Sequence, residues 1–237
     1  MVRILSGRVM PAWRDPRASG GGFLAPAPVV GSTRGSVAQG EGTGLVALDI
    51  DNTLAATNCA LWRRFPASDR DRCHGAPVSP EWFASAEGRQ LLAEVHPLRG
   101  ATRGASTLAK RGGVVYVTTR PVAASRETWT WLRAHRFPSG PVVFVGSSDH
   151  KARWAQLLGV GLAVDDDPAA ARAYRAARIP CLLPRWRYNA DDPQAGSWDR
   201  LLQLLPGVGV AAEAGTPATG APDSFLTACG RGGARNA

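Results

Sequence analysis

A short apolar run that ends in two closely spaced aspartates is the feature that most constrains this chain. Residues 45–48 read Leu-Val-Ala-Leu, and they are followed at once by Asp49, Asp51, Asn52 and Thr53. A short bounded apolar run predicts a buried strand of a parallel sheet. Open α/β sheets bind their ligands at the carboxyl ends of strands, which is where the aspartates fall. Because residues i and i+2 of an extended chain point the same way, both carboxylates can face one cavity.

Two close carboxylates need a positive charge or a proton nearby. They repel each other unless a proton or a cation lies between them. Carboxylate oxygens are hard ligands, and the cation that suits them is Mg²⁺. The alternative at this point is a simple polar turn after a strand, since Asp, Asn and Thr are common in turns and helix caps.

Composition allows a globular core and indicates an anionic substrate or partner. The chain has 237 residues, 44% of them hydrophobic, and a net charge of +9. Residues 44–206 carry 21 basic and 15 acidic residues, which fits phosphate esters or nucleic acid. The competing explanation is codon bias of a GC-rich genome, because Lys110 and Lys151 are the only lysines and all other basic residues are arginines.

The two ends of the chain differ in composition from its middle. Residues 1–43 are rich in Gly, Pro, Ser and Arg without sustained periodicity, and we expect a disordered leader or a wrongly chosen start codon. Residues 207–237 are rich in Gly, Ala and Pro, and we expect a disordered tail. Residues 44–206 are then one domain. No apolar run approaches the ~18 residues that a membrane span needs. The four cysteines show no CxxC spacing, which favours a reduced, cytoplasmic compartment.

Strands and helices alternate along the middle segment, which predicts the fold class. Five apolar runs bounded by turn residues read as strands, at 45–48, 114–117, 141–145, 161–164 and 179–183. Helical patterns lie between them, so we predict an α/β fold: a doubly wound, Rossmann-like parallel sheet of about five strands. Ser79 and Pro80 have the pattern of a helix start. A helix running to about Val95 makes residues 55–96 a small helical cap beside the aspartates.

Further polar groups follow the later strands in a suggestive order. Thr118 ends the second strand, and Asp165 and Asp166 follow the fourth. Lys151 lies in the first turn of a helix, where the helix dipole disfavours a cation unless an anion binds nearby. Taken singly, each is more typical of a turn or a cap. Together with the first aspartate pair they supply what phosphoryl transfer needs: a nucleophile, an acid/base, a hydroxyl and a cation for phosphate, and carboxylates for Mg²⁺.

This order resembles the haloacid dehalogenase-like (HAD) phosphohydrolases across about residues 44–205. The family pattern Asp-x-Asp-x-Thr is matched by the stretch from Asp49 to Thr53, and the strand ending in Thr or Ser is matched at Thr118. Lys151 and the apolar run before the acid pair supply the other two motifs. Receiver domains share some of these residues, but they place the lysine after all the acids, whereas Lys151 precedes Asp165.

The resemblance implies a role for each residue. Asp49 is the nucleophile that forms an aspartyl-phosphate, and Asp51 is the general acid and base. Mg²⁺ is held by Asp49, the backbone carbonyl of Asp51, and Asp165 or Asp166, and the sequence leaves the choice within that acid pair open. The phosphate group is expected to contact Thr118, Thr119, Arg120 and Lys151.

The substrate is less constrained than the chemistry. A small cap leaves an open site, which in this superfamily is typical of large substrates such as nucleic-acid ends or proteins. The segment 116–132 resembles the phosphatase half of polynucleotide kinase-phosphatases, and the acid run with Arg187, Tyr188 and Asn189 resembles 5′(3′)-deoxyribonucleotidases. We therefore expect a phosphomonoesterase for nucleotide or nucleic-acid-end phosphates. The alternatives are a phosphatase for a small metabolite or lipid phosphate, and a non-catalytic nucleic-acid-binding protein; oligomeric state is left unknown.

Overall fold

The computed structural model describes residues 4–5, 44–72 and 75–205. Its centre is one mainly parallel sheet. The strands are β1 Ile4–Leu5, β2 Leu45–Leu48, β3 Val114–Thr118, β4 Val142–Phe144, β5 Val160–Val164, β6 Cys181–Pro184 and β7 Ala195–Gly196. Their order in the sheet is β1-β4-β3-β2-β5-β6-β7. Strands β2 to β7 pair in parallel, and β1 pairs antiparallel with β4.

The predicted doubly wound sheet is confirmed, but it has six parallel strands instead of about five. The five expected strands are all present, and the two additions, β1 and β7, lie at the two edges and span two residues each. Runs this short carry no readable periodicity, which is why the sequence did not predict them. The expected leader and tail fall outside the described residues, except for Ile4–Leu5.

Side chains of β2 alternate between two cores, one on each face of the sheet. Val46 and Leu48 belong to one hydrophobic cluster, and Ala47 belongs to the other. This is the period of two that an extended strand imposes. Helices therefore cover both faces, and the central strands are buried on both sides, as an apolar run without polar alternation predicts.

Seven α-helices follow or connect the strands in the described part of the chain. They are α1 Thr57–Arg64, α2 Ala86–Glu94, α3 Ala101–Gly112, α4 Ser125–Ala134, α5 Asp149–Leu157, α6 Pro168–Ala176 and α7 Trp198–Gln203. Residues from α3, α4 and α7 contribute to the cluster that contains Leu48, and α5 and α6 contribute to the cluster that contains Ala47. None of the helices described is long and apolar enough to cross a membrane.

The helix expected from Ser79 to Val95 is divided. Pro80–Ala84 forms a 3₁₀ helix, and the α-helix begins only at Ala86. Ser85 is its N-cap, and its hydroxyl accepts a hydrogen bond from the Gly88 N–H at 3.1 Å. Ser79 makes no such bond. The α-helix therefore begins after Ser85, which has the cap geometry, and the Ser-Pro pattern six residues earlier begins only the 3₁₀ helix.

The segment between β2 and α3 leaves the sheet and returns to it at one place. Ala55 and Pro97 form an antiparallel bridge. Beside it, the Ala56 N–H donates to the His96 carbonyl at 2.8 Å. The segment Ala55–Pro97, called the insert below, carries α1, the 3₁₀ helix and α2 on two adjacent stems.

Candidate active site

Four elements bring the motif residues to one edge of the sheet. Asp49 directly follows β2, Thr118 is the last residue of β3, and Asp165 directly follows β5. Because β3 and β5 flank β2 in the sheet, their carboxyl ends are neighbours. Lys151 comes from the first turn of α5. This edge is where open α/β sheets bind their ligands.

Lys151 joins two of the aspartates into one buried ion network. Its Nζ lies 2.8 Å from Asp49 Oδ1 and 2.8 Å from Asp165 Oδ2. All three side chains are at most 5% exposed. A lysine at a helix start is costly because of the helix dipole, and here two carboxylates offset that cost. The unusual position of Lys151 in the sequence thus has a direct structural reason.

Asp51 belongs to a separate ion pair with Arg120. The Arg120 Nε donates to Asp51 Oδ2 and Nη2 donates to Asp51 Oδ1, both at 2.9 Å. The Thr57 hydroxyl donates to Asp51 Oδ1 as well. The sequence placed Arg120 near the phosphate but missed this pairing, because the two residues are 69 positions apart.

Two tryptophans from the C-terminal part of the domain hold the loop after β2. Asn52 has a φ of 59°, a left-handed conformation that asparagine tolerates better than most residues. The Trp186 indole donates to the Asn52 carbonyl at 2.7 Å, and the Trp198 indole donates to the Thr53 carbonyl at 2.9 Å. These contacts fix the aspartate loop from outside. Sequence patterns missed them, since a buried indole alone does not identify its acceptor.

Asp166 is held by hydroxyl groups, and no cation is among its hydrogen-bond partners in the described residues. Thr53 donates to its Oδ1 at 2.9 Å and in turn accepts from the Asp166 backbone N–H at 3.0 Å. Tyr188 donates to its other carboxylate oxygen. Asn189 donates to its backbone carbonyl at 2.9 Å. Thr53, the last residue of the Asp-x-Asp-x-Thr motif, therefore orients an acid that lies 113 residues away.

Burial raises the pKa of three aspartates at this edge, whereas nearby carboxylates determine the pKa of Lys151. Burial raises the pKa of Asp49, and Lys151 opposes this while Asp51 adds to it. Burial also raises the pKa of Asp165, to about 7, and raises the pKa of Asp166 well above its ordinary range. Burial alone lowers the pKa of Lys151, but Asp165 and Asp49 outweigh that effect and keep it protonated.

Three of these carboxylates fit a divalent cation. Asp49, Asp165 and Asp166 each offer an oxygen, and the three oxygens lie within 4.8 Å of one another. Three buried acids share the one positive charge of Lys151, so a cation would balance the excess negative charge. Hard carboxylate oxygens at a sheet edge are ligands that suit Mg²⁺. The residues present therefore fit the expected metal.

The expected phosphate contacts divide into buried and exposed groups. Thr118 and Lys151 are buried at the edge, and the Thr118 hydroxyl accepts from the Arg120 backbone N–H at 3.1 Å. Arg120 is buried also, and its side chain is 1% exposed. Thr119 is exposed, and its role in phosphate binding stays a prediction.

Comparisons with known proteins identify the family. The model of the 5′ nucleotidase, deoxy (pyrimidine), cytosolic type C protein family matches residues 47–213, a span that contains every residue of this site. No curated protein matches the chain significantly.

Solved structures with a similar fold include HAD-like hydrolases. A haloacid dehalogenase-like hydrolase from Streptococcus pneumoniae is 17% identical, covers 69% of this chain and 91% of its own, and has a TM-score of 0.44. A dehalogenase is 11% identical; the match covers 70% of this chain and 98% of that chain, with a TM-score of 0.48. The structure of the Pnkp1/Rnl/Hen1 complex is 12% identical; the match covers 69% of this chain and 52% of that chain, with a TM-score of 0.44. Likenesses at this level carry no argument about function.

The match to the family model covers well over half of the chain, and it spans strands β3 to β7, the insert and all four motifs. The chain therefore belongs to the 5′ nucleotidase, deoxy (pyrimidine), cytosolic type C family of HAD-like hydrolases.

Proposed function

We propose that this protein is a Mg²⁺-dependent phosphomonoesterase that cleaves nucleotide phosphates through an aspartyl-phosphate. The observation that supports it most is the ion network in which Lys151 lies 2.8 Å from both Asp49 and Asp165. A buried nucleophile, a cation for the phosphate and carboxylates for a metal then share one sheet edge, next to a separate acid, Asp51.

The proposed reaction has two steps. An oxygen of Asp49 attacks phosphorus, the bond from phosphorus to the ester oxygen breaks, and the leaving oxygen takes a proton from Asp51. Asp51 then takes a proton from water, whose oxygen attacks the phosphorus bound to Asp49. Inorganic phosphate leaves and both carboxyl groups return to their starting state. This is covalent catalysis with one residue serving as acid and then as base.

Mg²⁺ would be held by Asp49, Asp166 and the backbone carbonyl of Asp51. We choose Asp166 over Asp165 as the direct ligand, because Lys151 already neutralises Asp165 at 2.8 Å while Asp166 receives only hydroxyl groups on its carboxylate. The ion supplies positive charge that stabilises the phosphoryl group in the transition state. Lys151 and the hydroxyl of Thr118 are the proposed phosphate ligands of the chain itself, with the exposed Thr119 at the rim.

The substrate class rests on the family. Its name describes deoxynucleotide 5′-nucleotidases, which favours mononucleotides over nucleic-acid ends and over metabolite or lipid phosphates. The basic excess of the domain is consistent with an anionic substrate.

Phosphate release tests this proposal. Full-length protein would be assayed with Mg²⁺ or EDTA on 5′- and 3′-deoxynucleotides, end-phosphorylated oligonucleotides, an aryl phosphate and phosphatidate. Mg²⁺-dependent release strongest from deoxynucleotides supports the proposal. Strongest release from oligonucleotide ends or phosphatidate would replace the substrate class, and no release from any of them would refute the enzymatic activity proposed.

A cytoplasmic location is proposed from the family name, which contains the word cytosolic. One feature points the other way: Cys59 is disulfide-bonded, a state more typical of oxidising compartments. Cell fractionation with thiol labelling decides between them. Recovery in the cytoplasmic fraction with a reduced Cys59 supports the proposal, and an oxidised protein in another fraction contradicts it.

A further inference from the structure

Arg120 is buried behind Asp51 and does not line the open part of the site. Its side chain is 1% exposed, whereas that of Asp51 is 14% exposed. A phosphate that approached from solvent would meet Asp51 before it met Arg120. We propose that Arg120 is a positioning residue that acts through Asp51, and that it is not a phosphate ligand; this inference rests on the proposed function.

The contact between Arg120 and Asp51 is a bidentate ion pair. Arg120 Nε and Nη2 donate to different oxygens of Asp51, each at 2.9 Å. Such paired hydrogen bonds fix the plane of a carboxylate as well as its distance. Asp51 Oδ1 also accepts a hydrogen bond from the Thr57 hydroxyl. The Asp51 side chain stays 14% exposed, so a substrate oxygen or a water can reach it.

Arg120 is itself held on three sides. Its Nη1 donates to the Thr128 hydroxyl at 3.4 Å, and its guanidinium carbon lies 5.7 Å from the centre of the Trp131 ring. The Trp131 indole is anchored to the Val95 carbonyl at 2.6 Å. The backbone N–H of Arg120 donates to Thr118. An arginine with this support has one orientation available and can impose it on Asp51.

The proposed nucleophile and the proposed general acid are each paired with a different cation. Lys151 contacts the nucleophile Asp49 and the acid Asp165, and Arg120 contacts the general acid Asp51. Lys151 and Arg120 therefore hold different aspartates of the Asp-x-Asp-x-Thr motif. Loss of Arg120 should therefore misplace the proton donor and leave the nucleophile in position.

The test is single-turnover release of the leaving group, which isolates the step in which Asp51 gives its proton. Wild type, R120Q, R120K and R103Q would each be measured with a deoxynucleotide and with a dinitrophenyl phosphate, whose leaving group needs no proton. Arg103 pairs with Asp199 at the surface and is the matched control.

For R120Q we expect a loss of about 100-fold with the deoxynucleotide, in the range of general acid catalysis, and about threefold or less with the dinitrophenyl ester. R120K should recover only part of the loss, because lysine keeps the positive charge but cannot donate to both oxygens of Asp51. D51N should give the same substrate pattern as R120Q, and the double variant should be no worse than D51N. Equal losses on both substrates, or losses that multiply in the double variant, would overturn the inference.

A crystal structure of R120Q gives a second readout that needs no activity. The inference predicts more than one orientation of the Asp51 carboxylate while Lys151 keeps both of its contacts. An Asp51 that stays in place without Arg120 would overturn the inference. If wild type released no phosphate at all, the proposed function would fail, and this structure would still decide the role of Arg120.

Discussion

The sheet edge that carries the candidate site and the insert satisfy their charges in opposite ways. At the edge, Lys151 and Asp165 form an ion pair with 3% and 0% of their side chains exposed. In the insert, Arg64 pairs with Glu87, and both side chains are about half exposed, at 49% and 50%. Buried pairs are rigid and costly to break, while exposed pairs contribute little. We therefore expect the edge to be the more rigid region and the insert to be the more adaptable one.

Hydrogen bonding shows the same contrast. Among the described residues, six buried side-chain atoms have no partner, and four of them belong to the insert: both amide atoms of Asn58, the Trp62 indole N–H and the Arg89 Nε. One more, Asn52 Nδ2, belongs to the aspartate loop at the edge. At the edge, Asp165 and Asp166 each receive hydrogen bonds on both carboxylate oxygens. Unpaired buried polar atoms are costly, so the insert is the less fully hydrogen-bonded of the two regions. We expect the edge to determine the reaction and the insert to determine the substrate.

Replacement of the nucleophile should have the largest effect. D49N should lower kcat by about 10⁴-fold or more, as loss of a covalent nucleophile does in other enzymes. The fold should survive, because the substitution removes one of three crowded acids. Steady-state kinetics and thermal unfolding check this together. Full Mg²⁺-dependent activity in D49N would mean that Asp49 is not the nucleophile.

Removal of the buried cation should cost far more stability than removal of an exposed one. K151M leaves Asp49 and Asp165 without their partner and should lower the free energy of unfolding by about 3–5 kcal/mol in EDTA. R64M should lower it by less than about 1 kcal/mol. Urea unfolding of both variants measures the difference. Similar losses in the two would erase the contrast between edge and insert.

A change in the insert should alter substrate binding and spare the chemistry. Trp82 lines a cavity of about 680 Å³ together with Arg64 and Phe65. W82A should raise KM for deoxynucleotides about tenfold, which corresponds to about 1.4 kcal/mol, with kcat on an aryl phosphate unchanged. L157A, which truncates an exposed side chain on α5, is the control and should change neither value. A fall in kcat on both substrates would place Trp82 in the chemistry.

The smallest effect concerns pH and the metal. Burial raises the pKa of Asp166 and Asp165, so their protonated forms are favoured in the folded, metal-free protein. Their ionisation destabilises that state as pH rises above their unfolded pKa values. Mg²⁺ relieves the repulsion and binds the ionised form. The increase in Tm on adding Mg²⁺ should therefore be larger at pH 8 than at pH 5.5, by differential scanning fluorimetry; an equal or smaller increase would contradict this.

Sequence predicted the edge better than it predicted the contacts that hold the edge. The strands that end at Asp49, Thr118 and Asp165 are short apolar runs followed by polar residues, and such signals are local. The ion pair between Arg120 and Asp51 joins residues that are 69 positions apart, and the hydrogen bond from Thr53 to Asp166 joins residues that are 113 positions apart. Pairings of this kind depend on the packed fold, so no local pattern contains them.

The insert illustrates the same limit at short range. The Ser-Pro pattern at residue 79 predicts the start of a helix, and a 3₁₀ helix does begin at Pro80. The α-helix begins at Ala86, because Ser85 caps it. Competing caps a few residues apart are decided by the packing around them. Strands β1 and β7 were missed because two residues show no period.

The central claim is that Asp49 carries the phosphoryl group, and acid-quenched turnover tests it most directly. Wild type and D49N would be mixed with a deoxynucleotide and Mg²⁺, and D51N with a dinitrophenyl phosphate and Mg²⁺. Each reaction would be quenched in acid and examined by peptide mass spectrometry. The account predicts a phosphate adduct on Asp49 in wild type, more of it in a D51N reaction started with a dinitrophenyl phosphate, and none in D49N. Turnover in wild type with no adduct on Asp49, or an adduct on another residue, would contradict it.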